Sequence, residues 1–344
     1  MNKSKPKTKP VVGLSIGDLN GVGPEIIIKA LSDNRILKLI TPVVYGSTKV
    51  LSYYRKSMNL EPFNHNPVNN SFDLHFKKIN VVNCWSEAIE LKPGEATPES
   101  GTCAFKALEK ATADLKEGKI HALITAPINK KNIQSDDFNF PGHTEYITEK
   151  FEAKDSLMIL ASDRLKVGVV TGHMSLKEVP NALTKEKIIN KASILLESMK
   201  KDFGAAKPRI AVLGLNPHAG EDGILGNEEQ EVISPAIAEL KKKGHLIFGP
   251  YPADGFFGTA QYEKFDATLA MYHDQGLVPF KTLSFEEGVN FTAGLSHVRT
   301  SPDHGTAYNI AGKNQANESS IRSAIFMAVD ILNHRNELNP VSTN

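Results

Sequence analysis

An α/β fold with a largely parallel sheet is predicted by three features of this chain. Short β-rich apolar runs alternate with longer stretches whose apolar residues recur at three- and four-residue steps. Several of the apolar runs stop at a short polar loop, as a strand does at the edge of a parallel sheet. No internal repeat or long low-complexity tract interrupts the alternation. Strands are expected near 11–16, 42–46, 79–83, 121–125, 157–161, 166–171, 209–214, 246–249, 267–272 and 289–293. Helices are expected over 100–117, 143–152, 185–202, 228–243 and 319–336. Ser100 and Thr184 stand where N-caps belong, and Gly118, Gly204 and Gly244 where a left-handed residue ends a helix. The segment 60–75, with its Asn and Pro content, reads as a surface excursion and 337–344 as a fraying tail.

Composition narrows the function. A chain of 344 residues with 40% hydrophobic content buries a large core in one large or two moderate domains. A net charge of +1 gives no basic field, so nucleic acid and anionic membranes are poor partners and a small molecule is the better one. Cys84 and Cys103 form no C-x-x-C pair, which argues against a disulfide framework and a thiolate zinc site. The basic start leads into only six apolar residues, a strand rather than a signal peptide, and no run reaches the length of a membrane span. A cytoplasmic protein is expected.

His173, His218 and His273 each follow an apolar strand-like run and sit in a short polar loop. The repeated placement points to one divalent metal site assembled by tertiary or quaternary structure, because the spacings are far too long for a local zinc module. Three unrelated structural histidines among the 11 in the chain are the alternative. After the first strand, the turn from Gly17 to Glu25 lacks the closing glycine of a dinucleotide fingerprint, since Ile26 stands there, and it reads as a tight turn with Pro24 in the first helical turn. No nucleotide-triphosphate loop motif is present, so anion recognition falls to side chains. His143 and Thr144 stand at an expected helix start, where free amides and the dipole favour an anion. Lys281, Asn290 and Arg299 add cationic and amide donors. Solvated surface charges and a helix-capping His143 are the plainer readings of the same residues.

Together these residues lie in motifs that resemble the 4-hydroxythreonine-4-phosphate dehydrogenase family of pyridoxal phosphate biosynthesis. The resemblance runs through Gly-Val-Gly-Pro-Glu-Ile at 21–26, Ile-Thr-Ala-Pro-Ile-Asn-Lys at 124–130, Phe-Pro-Gly-His-Thr-Glu at 140–145 and Leu-Asn-Pro-His-Ala-Gly-Glu at 215–221. It continues through Gly-Pro-x-Pro-Ala-Asp at 249–254, Met-Tyr-His-Asp-Gln-Gly-Leu at 271–277 and Arg-Thr-Ser-x-Asp-His-Gly-Thr-Ala at 299–307. It implies that His173, His218 and His273 are metal ligands, that His143, Thr144, Lys281, Asn290 and Arg299 bind substrate, and that a homodimer shares each active site between subunits. A second likeness, of 304–313 to the adenosine-binding loop of isopropylmalate and isocitrate dehydrogenases, implies that His304, Gly305, Thr306 and Asn309 bind NAD or NADP. A Gly-rich turn packing two subdomains is the plainer reading of that loop.

The implied fold is isocitrate/isopropylmalate dehydrogenase-like, two α/β/α subdomains around a central cleft with a mostly parallel sheet. Residues 1–130 with 300–344 are expected to form the subdomain with the cofactor loop. Residues 131–299 are expected to carry the metal and substrate residues and the dimer interface. The implied reaction is NAD(P)-dependent oxidation of 4-phosphohydroxy-L-threonine at C3, then decarboxylation. Three imidazoles suit Zn²⁺, Co²⁺ or Ni²⁺, and Mg²⁺ stays open where substrate oxygens complete its shell. Asp254 and Asp274 are candidates for the catalytic base, with ammonium binding, orientation of His273 or helix capping as their other roles. Leu19-Asn20, Gly172, Met174-Ser175 and Ser296-His297 depart from the usual family residues and leave the pocket's shape open. A 4-phospho-D-threonate or 4-phospho-D-erythronate dehydrogenase of the same family is the nearest alternative. A metal-dependent phosphoesterase is an alternative of another class, and a sugar-phosphate sensor a third.

Overall fold

The computed structural model describes residues 9–60, 65–68 and 72–338. The basic start, part of the excursion at 60–75 and the tail beyond 338 lie outside the described residues. The strands are β1 (Val11–Ser15), β2 (Thr41–Gly46), β3 (His65–Pro67), β4 (Ile79–Asn83), β5 (Ala122–Thr125), β6 (Leu157–Ala161), β7 (Lys166–Thr171), β8 (Arg209–Leu213), β9 (Leu246–Tyr251), β10 (Ala267–Tyr272), β11 (Val289–Ala293) and β12 (Val298–Pro302). They fall into two compact units. The first takes the chain up to Glu152 and again Ser296–Leu332; the second takes Ala153–Leu295 and the chain from Asn333.

In the first unit the strands run in the order β3-β4-β2-β1-β5-β12, and every neighbouring pair is parallel. β1, β2 and β5 are buried along their whole length, which is why their sequences are near-continuous apolar runs rather than alternating ones. The helix Pro98–Lys116 packs on β1, β2 and β5 through Ala104, Ala107, Leu108, Ala111 and Leu115, spaced three and four apart. Its cap is Thr97, which accepts from the Ser100 amide at 3.2 Å, so the helix begins before the expected Ser100. Pro98 fits the first turn because its missing N–H would have no partner there.

In the second unit the order is β11-β6-β7-β10-β8-β9. β6 pairs antiparallel with β11 and β7, and the pairs β7–β10, β10–β8 and β8–β9 are parallel. Val167, Leu213, Phe256, Leu277 and Phe280 belong to its core. Burying each such side chain stabilises the unit by about 1.5–3 kcal/mol before ordering costs. The helix Lys185–Lys201 covers this sheet, capped by Thr184, which accepts from the Lys187 amide at 3.1 Å. Gly118, Gly204 and Gly244 have φ of 73°, 71° and 85°, the left-handed terminators expected.

Departures from expectation bear on the site. β12 is fully buried although it reads Val-Arg-Thr-Ser-Pro, because its polar groups are paired: Thr300 Oγ1 donates to the Ala324 carbonyl at 2.9 Å. His273 does not sit in a polar loop but opens the helix His273–Ser284, which carries Gly276 and Pro279 and so lacks a helical signature. The helix expected at 228–243 begins with a π-turn, Glu229–Ile233, before Ser234–Lys242 continues it. No described helix is long and apolar enough to cross a membrane.

Candidate active site

In the first unit β12 lies beside β5 with Arg299 opposite Leu123, and this register sets Arg299 near the end of β5. Arg299 is only 2% exposed. Its Nε and Nη2 donate to Thr125 Oγ1 at 3.2 and 2.6 Å. Burial lowers the guanidinium pKa to about 10, which leaves it charged at neutral pH. The charge of Glu145 opposes that shift.

His143 is the first residue of the helix His143–Lys150, and its Nε2 is buried without a hydrogen-bond partner. Burial, then the charges of Arg299 and Lys130, hold its pKa well below 6.5. The imidazole is therefore neutral beside two cations. Thr144 follows at the same helix start, where free amides favour an anion, and Glu145 is the acidic residue of that first turn.

The segment 304–313 is fixed to the turn after β1. The Val22 amide donates to the Thr306 carbonyl at 2.9 Å, and just beyond the segment Lys29 Nζ, on the following helix, donates to the Ala316 carbonyl at 2.7 Å. The Gly312 amide donates to the buried Glu25 carboxylate. Gly21 permits the approach, because a Cβ there would lie 2.9 Å from the Thr306 carbonyl oxygen. Asp18 is fully buried and accepts from the Asn20 amide (2.9 Å), Ser100 Oγ (3.1 Å), Asn132 Nδ2 (2.8 Å) and Tyr308 Oη (2.9 Å). The sequence turn read as a plain tight turn is thus the scaffold of the 304–313 loop. His304 Nδ1 contacts the Gly305 carbonyl at 3.0 Å, and Asn309 is exposed.

In the second unit His173, His218 and His273 stand just past the carboxyl ends of β7, β8 and β10. The His173 and His273 rings lie 5.4 Å apart, centroid to centroid. Asp274 Oδ1 is 2.7 Å from His273 Nδ1, so this carboxylate orients the ring. His218 belongs to five consecutive left-handed residues, with φ of 51°, 52°, 85°, 43° and 54° from His218 to Asp222. Only one of the five is glycine. The buried Glu229 carboxylate closes this turn from below, accepting from the Leu215 and Asn216 amides at 2.6 and 2.7 Å and from Asn216 Nδ2 at 2.9 Å.

Among the described residues no three His, Cys, Asp or Glu side chains of the single chain converge as a metal-binding group. His173 and His273 are brought together, and His218 is not gathered with them. Two neighbouring imidazoles fit a transition metal as part of its shell. Asp254 is exposed in the first turn of the helix Ala253–Gly258. Lys281 is half-buried in the helix that His273 opens, and Asn290, on β11, has a buried Oδ1 with no hydrogen-bond partner.

A family model described as pyridoxal phosphate biosynthetic protein PdxA matches residues 38–328. The chain belongs to this family. It is 50% identical over 325 residues to 4-hydroxythreonine-4-phosphate dehydrogenase of Bacteroides thetaiotaomicron, covering 94% of this chain and 89% of that one. It is 37% identical over 329 residues to D-threonate 4-phosphate dehydrogenase of Pectobacterium atrosepticum, covering 93% and 99%. The crystal structure of 4-hydroxythreonine-4-phosphate dehydrogenase from Klebsiella pneumoniae matches with a TM-score of 0.82 at 35% identity, over 95% of this chain and 99% of that one. The isocitrate dehydrogenase-like α/β class expected of the sequence is therefore the fold found. Thr125, Asp18, Tyr308 and Glu229 went unread in the sequence. Asp18 followed by Asn20 in a turn was the signal available for one of them, an Asx turn that caps its own backbone.

Proposed function

We propose that this member of the family oxidises the C3 carbinol of 4-phosphohydroxy-L-threonine with NAD or NADP and that the 3-keto acid formed loses its carboxylate, giving 3-amino-2-oxopropyl phosphate for pyridoxine 5'-phosphate synthesis. The observation that carries this reading is 50% identity over nearly the whole chain to a 4-hydroxythreonine-4-phosphate dehydrogenase. The buried Arg299 and neutral His143 support it, since they make a cradle for an anionic group of a phosphorylated acid.

In this reading Arg299 holds an anionic group of the substrate by charge-assisted hydrogen bonds, while His143 donates one neutral hydrogen bond and Thr144 another. Lys281 and Asn290 are further substrate-binding residues in this reading, the orphaned Asn290 Oδ1 accepting a substrate hydrogen. A divalent metal on the imidazoles of His173, His218 and His273 would supply Lewis acidity toward the hydroxyl being oxidised. Asp274 keeps the His273 ring in place. Asp254 is the carboxylate left for the hydroxyl proton. His304, Gly305, Thr306 and Asn309 would hold the adenosine half of the dinucleotide, which would supply the hydride acceptor for the C3 oxidation.

A homodimer in the cytoplasm completes the site. Exposed apolar side chains follow each of the three histidines: Met174 and Leu176, Ile224 and Leu225, Val278 and Phe285. Apolar exposure of that kind around three would-be ligands supports burial against a second copy, which would bring the third imidazole. Likeness to a D-threonate 4-phosphate dehydrogenase favours a second reading, with a hydroxyl in place of the substrate amine. The test is NADH formation by metal-replete protein with 4-phosphohydroxy-L-threonine, 4-phospho-D-threonate and 4-phospho-D-erythronate. Preference for the amino acid supports the proposal and preference for a hydroxy acid supports the second reading. No NADH with any of them, with phosphate released instead, returns the site to a phosphoesterase.

A further inference from the structure

We infer that Gln275 is a positioning residue for the imidazole set, the middle link of a hydrogen-bonded chain that ties the three histidine-bearing strand ends to one another. The inference rests on the metal reading above. Thr171, two residues before His173, donates through Oγ1 to the Met271 carbonyl at 2.7 Å. Met271, two residues before His273, donates its amide to Gln275 Oε1 at 2.7 Å. Gln275 Nε2 in turn donates to the carbonyl of Gly214, four residues before His218, at 2.6 Å.

The sheet itself explains why a side chain is needed here. β10 and β8 pair in register only from Ala267 opposite Ile210 to Leu269 opposite Val212, and the ladder stops there. Beyond it the Met271 amide and the Gly214 carbonyl are left without each other, inside a region where Met271 and Gly214 are buried. A carboxamide carries one donor and one acceptor side by side, the same pair a peptide group offers, so Gln275 continues the ladder across the gap. Gly276, the next residue, lets the helix sit close enough for this, because a Cβ there would lie 2.7 Å from Val167 Cγ1 and 3.1 Å from Ala270 Cβ.

A plain helix cap would account for half of the arrangement. Gln275 is the third residue of the helix His273–Ser284, and a Gln at that place often reaches back to an amide before the helix. The bond to Gly214, 61 residues away, and the Thr171 bond on the far side of Met271 have no capping purpose. They fix where each histidine-bearing loop stands in the chain, so that His173 and His273 can face one ion and His218 is held in place for the ion shared with the second copy.

The test uses the full-length protein and Co²⁺, whose visible absorption bands report ligand number and geometry. Gln275→Met removes both carboxamide bonds at nearly constant length, and Thr171→Val removes the other link without touching the cap. Each should weaken Co²⁺ binding, measured by titration against a chelator, by roughly 10–100-fold and change the bands of the bound ion. Thr282→Val, two helical turns on, removes a helix-internal hydroxyl bond to Val278 and should leave both unchanged. Thermal unfolding of each variant separates a lost cap, which lowers the melting temperature alone, from a lost position. Wild-type affinity and bands in Gln275→Met overturn the inference, whatever Thr171→Val shows. If wild-type protein binds no Co²⁺, or binds it equally after His173→Ala, His218→Ala and His273→Ala, the metal reading is overturned and this inference falls with it.

Discussion

Tyr308 donates its hydroxyl to Asp18 Oδ2 at 2.9 Å, so the loop proposed to hold adenosine hangs from the turn that follows the first strand. Burial and the Asp18 charge raise the Tyr308 pKa, which keeps the phenol protonated as the donor. Tyr308→Phe deletes that bond but leaves Ser100 and Asn132 on the same carboxylate oxygen. It should lower stability by about 1 kcal/mol. If the loop binds dinucleotide, it should also raise the KM for NAD several-fold while kcat and the KM for the phosphorylated substrate stay near wild type. Steady-state kinetics with each substrate varied, beside thermal unfolding, checks both.

His143 gives a pH dependence whose sign is fixed by its surroundings. Its folded pKa lies well below the ordinary 6.5, because burial and the charges of Arg299 and Lys130 oppose protonation. Above pH 6.5 the ring is neutral in folded and unfolded chains and contributes nothing to the pH slope. As pH falls below that value the unfolded chain takes up a proton that the folded one refuses, so stability drops. His143→Gln should flatten this loss between the ordinary His pKa and the lower folded one, as measured by denaturant unfolding across pH. In the wild type, ring NMR should show His143 not titrating near 6.5, and inorganic phosphate in the cradle should raise its pKa.

The strand ends were legible because a parallel sheet buried on both faces writes itself as apolar runs with polar stops. The places of His173, His218 and His273 at β7, β8 and β10 follow from that pattern alone. β12 was not legible, since a fully buried Val-Arg-Thr-Ser-Pro is tolerated only through partners such as Thr125 and the Ala324 carbonyl, distant in sequence. The helix that His273 opens was hidden by Gly276 and Pro279, the first of which is demanded by packing rather than by helix propensity. Gln275 lay inside a quoted motif yet carries no charge and ligates nothing. Its meaning depends on Gly214, and no local pattern records a partner 61 residues away.

Arg299 is the cation whose removal should be felt most in substrate binding. A buried guanidinium exchanging water for an anionic group gains a charge-assisted hydrogen bond, and such bonds contribute about 1.5–3 kcal/mol. Arg299→Met should therefore lower kcat/KM by roughly tenfold to a hundredfold. Thr125→Val, which only frees the guanidinium from its 2.6 Å hydroxyl partner, should cost less. Isothermal titration with the phosphorylated substrate in the absence of NAD checks that the loss is one of binding. Equal affinity in Arg299→Met and wild type would remove Arg299 from the cradle.

His218 offers the sharpest separation of function from stability. It holds φ 51° in a run of five left-handed residues, a conformation that costs an L-residue roughly 1–2 kcal/mol and costs glycine almost nothing. The side chain is exposed, so its removal forfeits little burial. Glycine enlarges the unfolded ensemble, which offsets part of the relief. His218→Gly should thus unfold at or above the wild-type temperature while losing Co²⁺ affinity and NADH formation together. Glu229→Gln tests the other side of the same balance, because the buried carboxylate that accepts from the Leu215 and Asn216 amides is what holds the strained turn. It should lower the melting temperature and weaken Co²⁺ binding in wild-type background, yet lower the temperature less once His218→Gly has relieved the strain. Additive temperature losses across that double-mutant cycle would mean that Glu229 supports the fold without holding the turn.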